Sequence, residues 1–343
     1  MRALIVEFGG NHSETIGFFA EAMQNIDIET FVYFEGDTIS NSFLPSIPKK
    51  KLHIIKTFTE LETTLTDQNL QFVIFNSARN LRRGRSRAVS ILQKLFATGF
   101  PEERIIIQCH ARGDTDLDFV ANFRTQKIAP TPLFAESVSE HFLPVYNALT
   151  TPGIVERITS VLLRTITLGA NVTKIGGLEN HSEGAVNFEI LEEAIENSQT
   201  LKASLFTRSN LFTNFDCHGL LSKQNVSIFV GKTDREIERH LRRRRSLVWS
   251  VNNSNGIYCK RILTGSLPFG INFKYPVLLD PDTYKIYKIS DLPEIIIRGP
   301  DDLLRFNNAI TFYRTNAKWK KFSEAQIKFN QDKFASFIKD LRS

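Results

Sequence analysis

The chain has 343 residues, of which 42% are hydrophobic and 23% charged, and its formal net charge is +6. This composition is ordinary for a soluble globular protein, and the length suits two domains of roughly 150–170 residues each. The cysteines, Cys109, Cys217 and Cys259, lie far apart, which excludes a zinc motif or a disulfide framework, and no apolar run approaches the roughly 20 residues of a membrane span.

The first half of the chain alternates between short apolar runs and helical patterns. Apolar runs predict strands at 3–8, 30–34, 52–55, 72–75 and 104–108, and helical spacing predicts helices at 14–23, 60–65, 86–96 and 117–122. Alternating strands and helices are typical of a parallel sheet. We therefore predict a Rossmann-like domain over residues 1–170. Its first apolar run is too short for a signal peptide, and with reduced thiols this predicts a cytoplasmic protein.

A glycine loop follows the first predicted strand and consists of Gly9, Gly10 and Asn11, with His12 next. Ligands of parallel sheets bind beyond the carboxyl ends of the strands, so this loop is a candidate binding element. It lacks the third glycine of a dinucleotide-binding fingerprint, and binding of NAD is therefore disfavoured.

Two arginine clusters stand out against the modest net charge. The first contains Arg79, Arg82, Arg83, Arg85 and Arg87 and follows the fourth predicted strand, and the second contains Arg239 and residues 242–245. Arginine suits bidentate contact with phosphate, so an anionic partner is one interpretation. The other interpretation is two solvated basic surfaces. The first cluster favours binding more than the second, because it lies at the carboxyl end of a strand.

The second half repeats the alternation. Strands are predicted at 173–177, 203–206, 225–232 and 247–250, and helices at 188–195, 236–241 and 318–341. We place the domain boundary near residue 170, which gives a second domain over residues 171–343. The polar loop at 251–256 follows the last of these strands. Before a predicted helix, such a loop offers backbone N–H groups to a diphosphate.

The order of these elements resembles the donor-binding domain of GT-B-type glycosyltransferases. The matching segments are 174–177, 225–231 with the helix after it, 247–250 and 267–273. The resemblance implies two Rossmann-like domains that face a cleft, a last helix that crosses back to the first domain, and transfer of a sugar from a nucleotide-diphosphate sugar to a hydroxyl acceptor. Many retaining members carry two glutamates here, whereas this chain has no Glu between Arg239 and Pro293. Inverting chemistry is therefore favoured, and a non-catalytic binding protein is the alternative.

The resemblance also implies a role for each candidate residue. The candidate general bases are His12, Glu14 and His110. The candidate donor-binding residues are Gly177, Arg208, Asn252, Asn253, Ser254, Asn255, Gly256 and Lys260. The candidate acceptor or anion-binding residues are Gly9, Gly10, Asn11, Arg79, Arg82, Arg83 and Arg85.

The partners expected from these assignments are a nucleotide sugar and an anionic acceptor. The acceptor is a glycan, a lipid-linked intermediate or a nucleic acid, and peripheral contact with an anionic membrane at the inner face is compatible with the basic loops. No D-x-D sequence lies in the context of a metal site. We therefore expect neither a metal nor a cofactor.

Overall fold

The computed structural model describes residues 1–8, 13–35, 52–67, 69–78, 85–109, 124–130, 138–148, 154–167, 169–175, 184–207, 218–253, 266–287, 289 and 292–342. The chain divides into two compact units, Met1–Ala148 with Ile327–Ser343, and Leu149–Gln326. The predicted boundary lay near residue 170, whereas this division begins the second unit at residue 149 and so places residues 149–170 in it. Arg164 donates to the backbone oxygen of Arg242 there.

The described strands of the first unit form a seven-stranded parallel sheet in the order β3-β2-β1-β4-β5-β6-β7. The strands are β1 Arg2–Glu7, β2 Glu29–Phe34, β3 Leu52–Ile55, β4 Leu70–Phe75, β5 Ile105–Gln108, β6 Gln126–Ala129 and β7 Glu140–His141. The helices are α1 Ser13–Gln24, α2 Phe58–Thr64 and α3 Arg85–Ala97, with a 3-10 helix at Glu102–Arg104. Ala3, Leu4, Ile5 and Val6 of β1 are all buried, as expected for a parallel strand covered on both faces.

Aromatic side chains fill one face of the first unit. Phe18 and Phe19 of α1 contact Phe334, a residue close to the end of the chain, with ring centroids 5.4 Å and 5.3 Å apart. Phe142 meets the same ring edge-on at 5.1 Å. These four rings are almost fully buried, so the first unit needs the last part of the chain to complete its core.

The described strands of the second unit form a five-stranded parallel sheet in the order β10-β9-β8-β11-β12. The strands are β8 Asn171–Ile175, β9 Lys202–Thr207, β10 Val226–Val230, β11 Ser246–Ser250 and β12 Val277–Leu279. The helices are α4 Ile154–Ile166, α5 Glu189–Glu196, α6 His218–Leu221, α7 Asp234–Arg242, α8 Ser266–Asn272, α9 Pro281–Ile286, α10 Pro300–Leu304 and α11 Ala309–Asp340. Two 3-10 helices lie at Pro293–Ile295 and Arg305–Asn307.

Helix α11 has 32 residues and belongs to both units. In the second unit, the indole Nε1 of Trp319 donates to the backbone oxygen of Gly270 at 3.1 Å. In the first unit, Phe334 and Ile338 are fully buried. The prediction that the last helix crosses back to the first domain is confirmed.

One face of the second sheet carries a buried polar network. Ser204 Oγ donates to Asn171 Oδ1 at 3.0 Å, and Asn171 Nδ2 donates to Thr173 Oγ1 at 3.1 Å. From α7, His240 Nε2 lies 2.9 Å from Ser204 Oγ and 2.9 Å from Arg244 Nη1. A guanidinium has no acceptor, so His240 Nε2 accepts from Arg244 and the ring is neutral. Burial, reinforced by Arg244, lowers the pKa of His240 to about 4.

We expect His240 to make the protein less stable in mildly acidic solution. Its pKa is near 6.5 when unfolded and about 4 when folded. Between these values the unfolded chain binds more protons than the folded chain, so the free energy of unfolding decreases as the pH falls. Urea unfolding of the wild type and of His240→Gln, at several values between about pH 4.5 and about pH 7, measures this effect. The variant should lose less stability over that window, and equal slopes would contradict the assignment.

Candidate functional site

Buried polar side chains lie where β1 and β4 end, next to each other at the point where the strand order of the first sheet reverses. Asn76, directly after β4, donates from Nδ2 to Glu7 Oε2 at 2.7 Å. Thr15, in the first turn of α1, donates to Asn76 Oδ1. These contacts join residues from β1, the end of β4 and α1 at the edge where ligands of open α/β sheets bind.

The described part of the first arginine cluster reaches the same edge. Arg87 of α3 donates to Glu35, which directly follows β2, and its guanidinium lies 5.6 Å above the ring of Phe8, which directly follows β1. Arg85 is exposed on the first turn of the same helix. Helix α3 therefore places the guanidinium of Arg87, paired with Glu35, beside the carboxyl ends of β1 and β2.

Most residues predicted for the acceptor side lie outside the described residues. These are Gly9, Gly10, Asn11, His12, Arg79, Arg82, Arg83 and His110. Glu14 lies in α1, but its side chain is outside the described part of the chain. The roles assigned to them stay predictions. Sequence reasoning missed Glu7, although a carboxylate at the end of an otherwise apolar strand was a usable signal.

In the second unit, β8 and β11 are the neighbouring strands at the reversal of strand order. The chain beyond β11 pairs with the segment before α5. The backbone N–H of Asn187 donates to the backbone oxygen of Val251 at 3.0 Å, and the backbone N–H of Asn253 donates to the backbone oxygen of Ala185 at 3.0 Å. Asn253 Nδ2 also donates to the backbone oxygen of Gly184 at 3.2 Å. These bonds hold the start of the predicted donor loop in place.

Asn252 is held by a second set of bonds. Its backbone N–H donates to Asp280 Oδ2 at 2.9 Å, and its Nδ2 donates to Ser250 at 3.1 Å and to Thr283 Oγ1 at 3.3 Å. The residue is 3% exposed. Because its N–H groups already donate within the protein, the geometry suits Asn252 to positioning the loop. Its predicted direct contact with a donor stays a prediction.

Asp280 joins this cluster to α9 as the N-cap of the helix. Its carboxylate accepts from the backbone N–H of Thr283 at 2.8 Å and from Thr283 Oγ1 at 2.6 Å, in addition to the bond from Asn252. Pro281 follows at the first helical position, where its missing N–H is harmless. The sequence D-P-x-T was a signal for this cap.

The remaining donor-side candidates lie outside the described residues: Gly177, Arg208, Ser254, Asn255, Gly256 and Lys260. Within the described part of the chain, no group of three or more His, Cys, Asp or Glu residues is arranged to hold a metal ion. The described helices include none that is both long and apolar enough to cross a membrane.

No protein-family model matches the chain, and no curated protein matches it. Solved structures do. A glycosyltransferase from Rickettsia africae ESF-5 is similar over 100% of this chain and 98% of its own, with a TM-score of 0.63 and 10% identity. Anabaena HepE in complex with UDP is similar over 99% and 100%, with a TM-score of 0.59 and 10% identity.

An alpha-glucosyltransferase in complex with UDP and a 13-mer DNA is similar over 96% of this chain and 94% of its own, with a TM-score of 0.55 and 11% identity. The chain has a GT-B-type fold. The likeness runs along the whole chain, and the two parallel-sheet units confirm the predicted pair of Rossmann-like domains. In both sheets a polar cluster lies at the reversal of strand order, the position at which open α/β sheets in general bind ligands.

Proposed function

We propose that the chain is a glycosyltransferase that moves a sugar from a nucleotide-diphosphate sugar to a hydroxyl acceptor. The observation that carries this proposal is the end-to-end likeness to solved glycosyltransferases, two of which hold UDP. The likeness covers 94% or more of both chains in each case.

The donor is proposed to bind beyond β8 and β11. Asn253 lies at the start of the loop and bonds to Gly184. The residue before it, Asn252, is held by Asp280 and Thr283. Lys260 supplies positive charge for the diphosphate, together with backbone N–H groups of residues 254–256. Support for this arrangement comes from the bonds that clamp both sides of the loop's first residues.

The acceptor is proposed to bind beyond β1 and β4. His12, Glu14 or His110 removes the proton from the acceptor hydroxyl, the oxygen bonds to the anomeric carbon, and the bond from that carbon to the nucleoside diphosphate breaks. This single displacement inverts the anomeric configuration. The arginines near α3 favour an anionic acceptor, and Arg87 already places one guanidinium at this edge.

Isothermal titration with UDP, GDP, CMP and dTDP tests the donor site. We expect saturable binding of one nucleotide, and Lys260→Ala should weaken it by at least about 10-fold because the diphosphate loses a charge partner. Lys285→Ala is the matched control, since Lys285 is an exposed lysine of the same unit and lies outside the proposed site. Its affinity should equal that of the wild type.

If the folded protein binds none of these nucleotides, the proposal of a transferase is overturned, and a non-catalytic binding protein is favoured. If a nucleotide binds, hydrolysis of the matching nucleotide sugar followed by NMR identifies the first anomer released. Inversion is the expected outcome, and retention would contradict the single displacement.

A further inference from the structure

A cavity of about 780 Å³ lies within the second unit, away from the loop after β11. Its walls come from one face of β8, β9 and β10, from α7 with the residues after it, and from the end of α4, and include Asn171, Lys202, Phe206, Phe229, His240 and Arg244. The volume falls in the range of small-molecule sites. The transferase proposed above makes no use of these residues.

The charged side chains around this cavity are mostly positive. Lys232 is paired with Glu236 at 3.0 Å, and Arg239 with Glu156 at 3.4 Å. Lys202, Arg243 and Arg244 also line the cavity, and no carboxylate pairs with them among the residues that the structure describes. Counting the described side chains alone, the cavity therefore carries positive charge that no ion pair offsets.

Arg244 is the most informative of these cations. It is half-buried, and burial lowers the pKa of its guanidinium. Its described partners are His240 Nε2 at 2.9 Å and Ser204 Oγ at 3.4 Å, both neutral groups. A cation that is withdrawn from water without a counter-ion is unfavourable, and an anion bound in the cavity would offset that cost.

Two aromatic rings also line the cavity. Phe206 and Phe229 stack with centroids 4.8 Å apart and planes 16° apart. The ring of His240 meets them edge-on at 5.2 Å and 4.8 Å. Aromatic surface of this kind receives a planar ring, in the same cavity that offers cations to an anion.

We propose that this cavity binds a nucleoside phosphate, with the phosphate beside Arg244, Arg243 and Lys202 and the ring against Phe206 and Phe229. The site differs from the donor loop in its residues: α4, α7 and one face of β8, β9 and β10 line it, and none of the described residues after β11 (251–253) does. The proposal does not rest on the transferase function.

Titration with AMP tests this proposal. The wild type should bind AMP saturably below about 1 mM, and both Arg244→Gln and Lys202→Ala should weaken binding by at least about 10-fold. Lys202 is exposed, so its variant keeps the fold even if Arg244→Gln disturbs it. Arg298→Gln, an exposed arginine of the same unit outside the cavity, should leave the affinity unchanged.

Two further measurements distinguish this site from the donor loop and from a site that binds phosphate alone. Lys260→Ala should retain full AMP affinity, and loss in that variant with retention in Arg244→Gln would overturn the proposal by placing AMP at the donor loop. Inorganic phosphate should bind at least about 10-fold more weakly than AMP. Equal affinities would overturn the assignment of the aromatic wall, and absence of saturable AMP binding would overturn the site itself.

Discussion

Replacing Asp280 with alanine is expected to lower the free energy of unfolding by about 3 kcal/mol. Its carboxylate is 5% exposed and accepts three bonds, from the backbone and hydroxyl of Thr283 and from the backbone N–H of Asn252. Alanine leaves these donors buried without an acceptor and removes the cap of α9. Urea unfolding monitored by circular dichroism measures the loss.

The variant Asp280→Asn distinguishes two roles of this carboxylate, capping α9 and anchoring the donor loop. Its amide oxygen can still cap α9, but its amide nitrogen replaces one of the two acceptor oxygens. We expect roughly half of the destabilisation of the alanine variant, together with weaker nucleotide binding. A loss of stability in Asp280→Ala below about 1 kcal/mol would show that the cluster is not held by this carboxylate.

Replacing Gly270 with alanine is expected to cost about 2–3 kcal/mol of stability through overpacking. A Cβ at this position would lie 2.0 Å from Val277 Cγ2 and 2.8 Å from the backbone oxygen of Tyr275. Helix α8 could relieve this contact only by moving away from β12. Trp319 opposes that movement, because its indole donates to the backbone oxygen of Gly270. The measurement is again the free energy of unfolding in urea.

Gly299→Ala is the matched control for this prediction. A Cβ at Gly299 would have no atom within 4 Å, and the φ of −164° at this residue is extended backbone open to any side chain. Gly299 precedes α10 at the N-cap, so alanine there should cost at most about 1 kcal/mol. Equal losses in the two variants would contradict the close packing of α8 against β12.

The sequence predicted long elements well, because their apolar periodicity reflects burial against a whole sheet. The runs that became β1, β2, β4 and β5 and the helices α1 and α3 were assigned within a few residues. Three strands were missed: β6 begins with the polar residues Gln126 and Lys127, β7 has 2 residues and β12 has 3, so each has a weaker pattern than β5, which is Ile-Ile-Ile-Gln. The segment 267–273 was assigned neither a helix nor a strand, whereas Ser266–Asn272 forms α8, with Pro268 in its first turn where proline is tolerated.

The candidate sites were less predictable than the fold. Strand-end reasoning pointed to the correct edges of both sheets, because parallel strands bring their carboxyl ends together. The bonds themselves join residues far apart in sequence: Asn76 to Glu7 across 69 positions, and Asn252 to Asp280 across 28. Such pairings depend on strand order and register, which local patterns do not encode. The second arginine cluster was recognised in the sequence and supplies Arg239, Arg243 and Arg244 to the cavity, but the cavity itself was not predicted, since α4, β9 and α7 are brought together by tertiary packing.

Helix α11 has a consequence for how the chain folds during synthesis. The first unit's aromatic core requires Phe334, which follows Ala148 by 186 positions in the sequence. At translation speeds of about 5–20 residues per second, the two parts of that core emerge roughly 10–40 s apart. During this interval, the apolar surface of α1 has no permanent cover. The second unit ends at residue 326, before Phe334, so the nascent first unit is the part that waits longest for its core and would bind a chaperone.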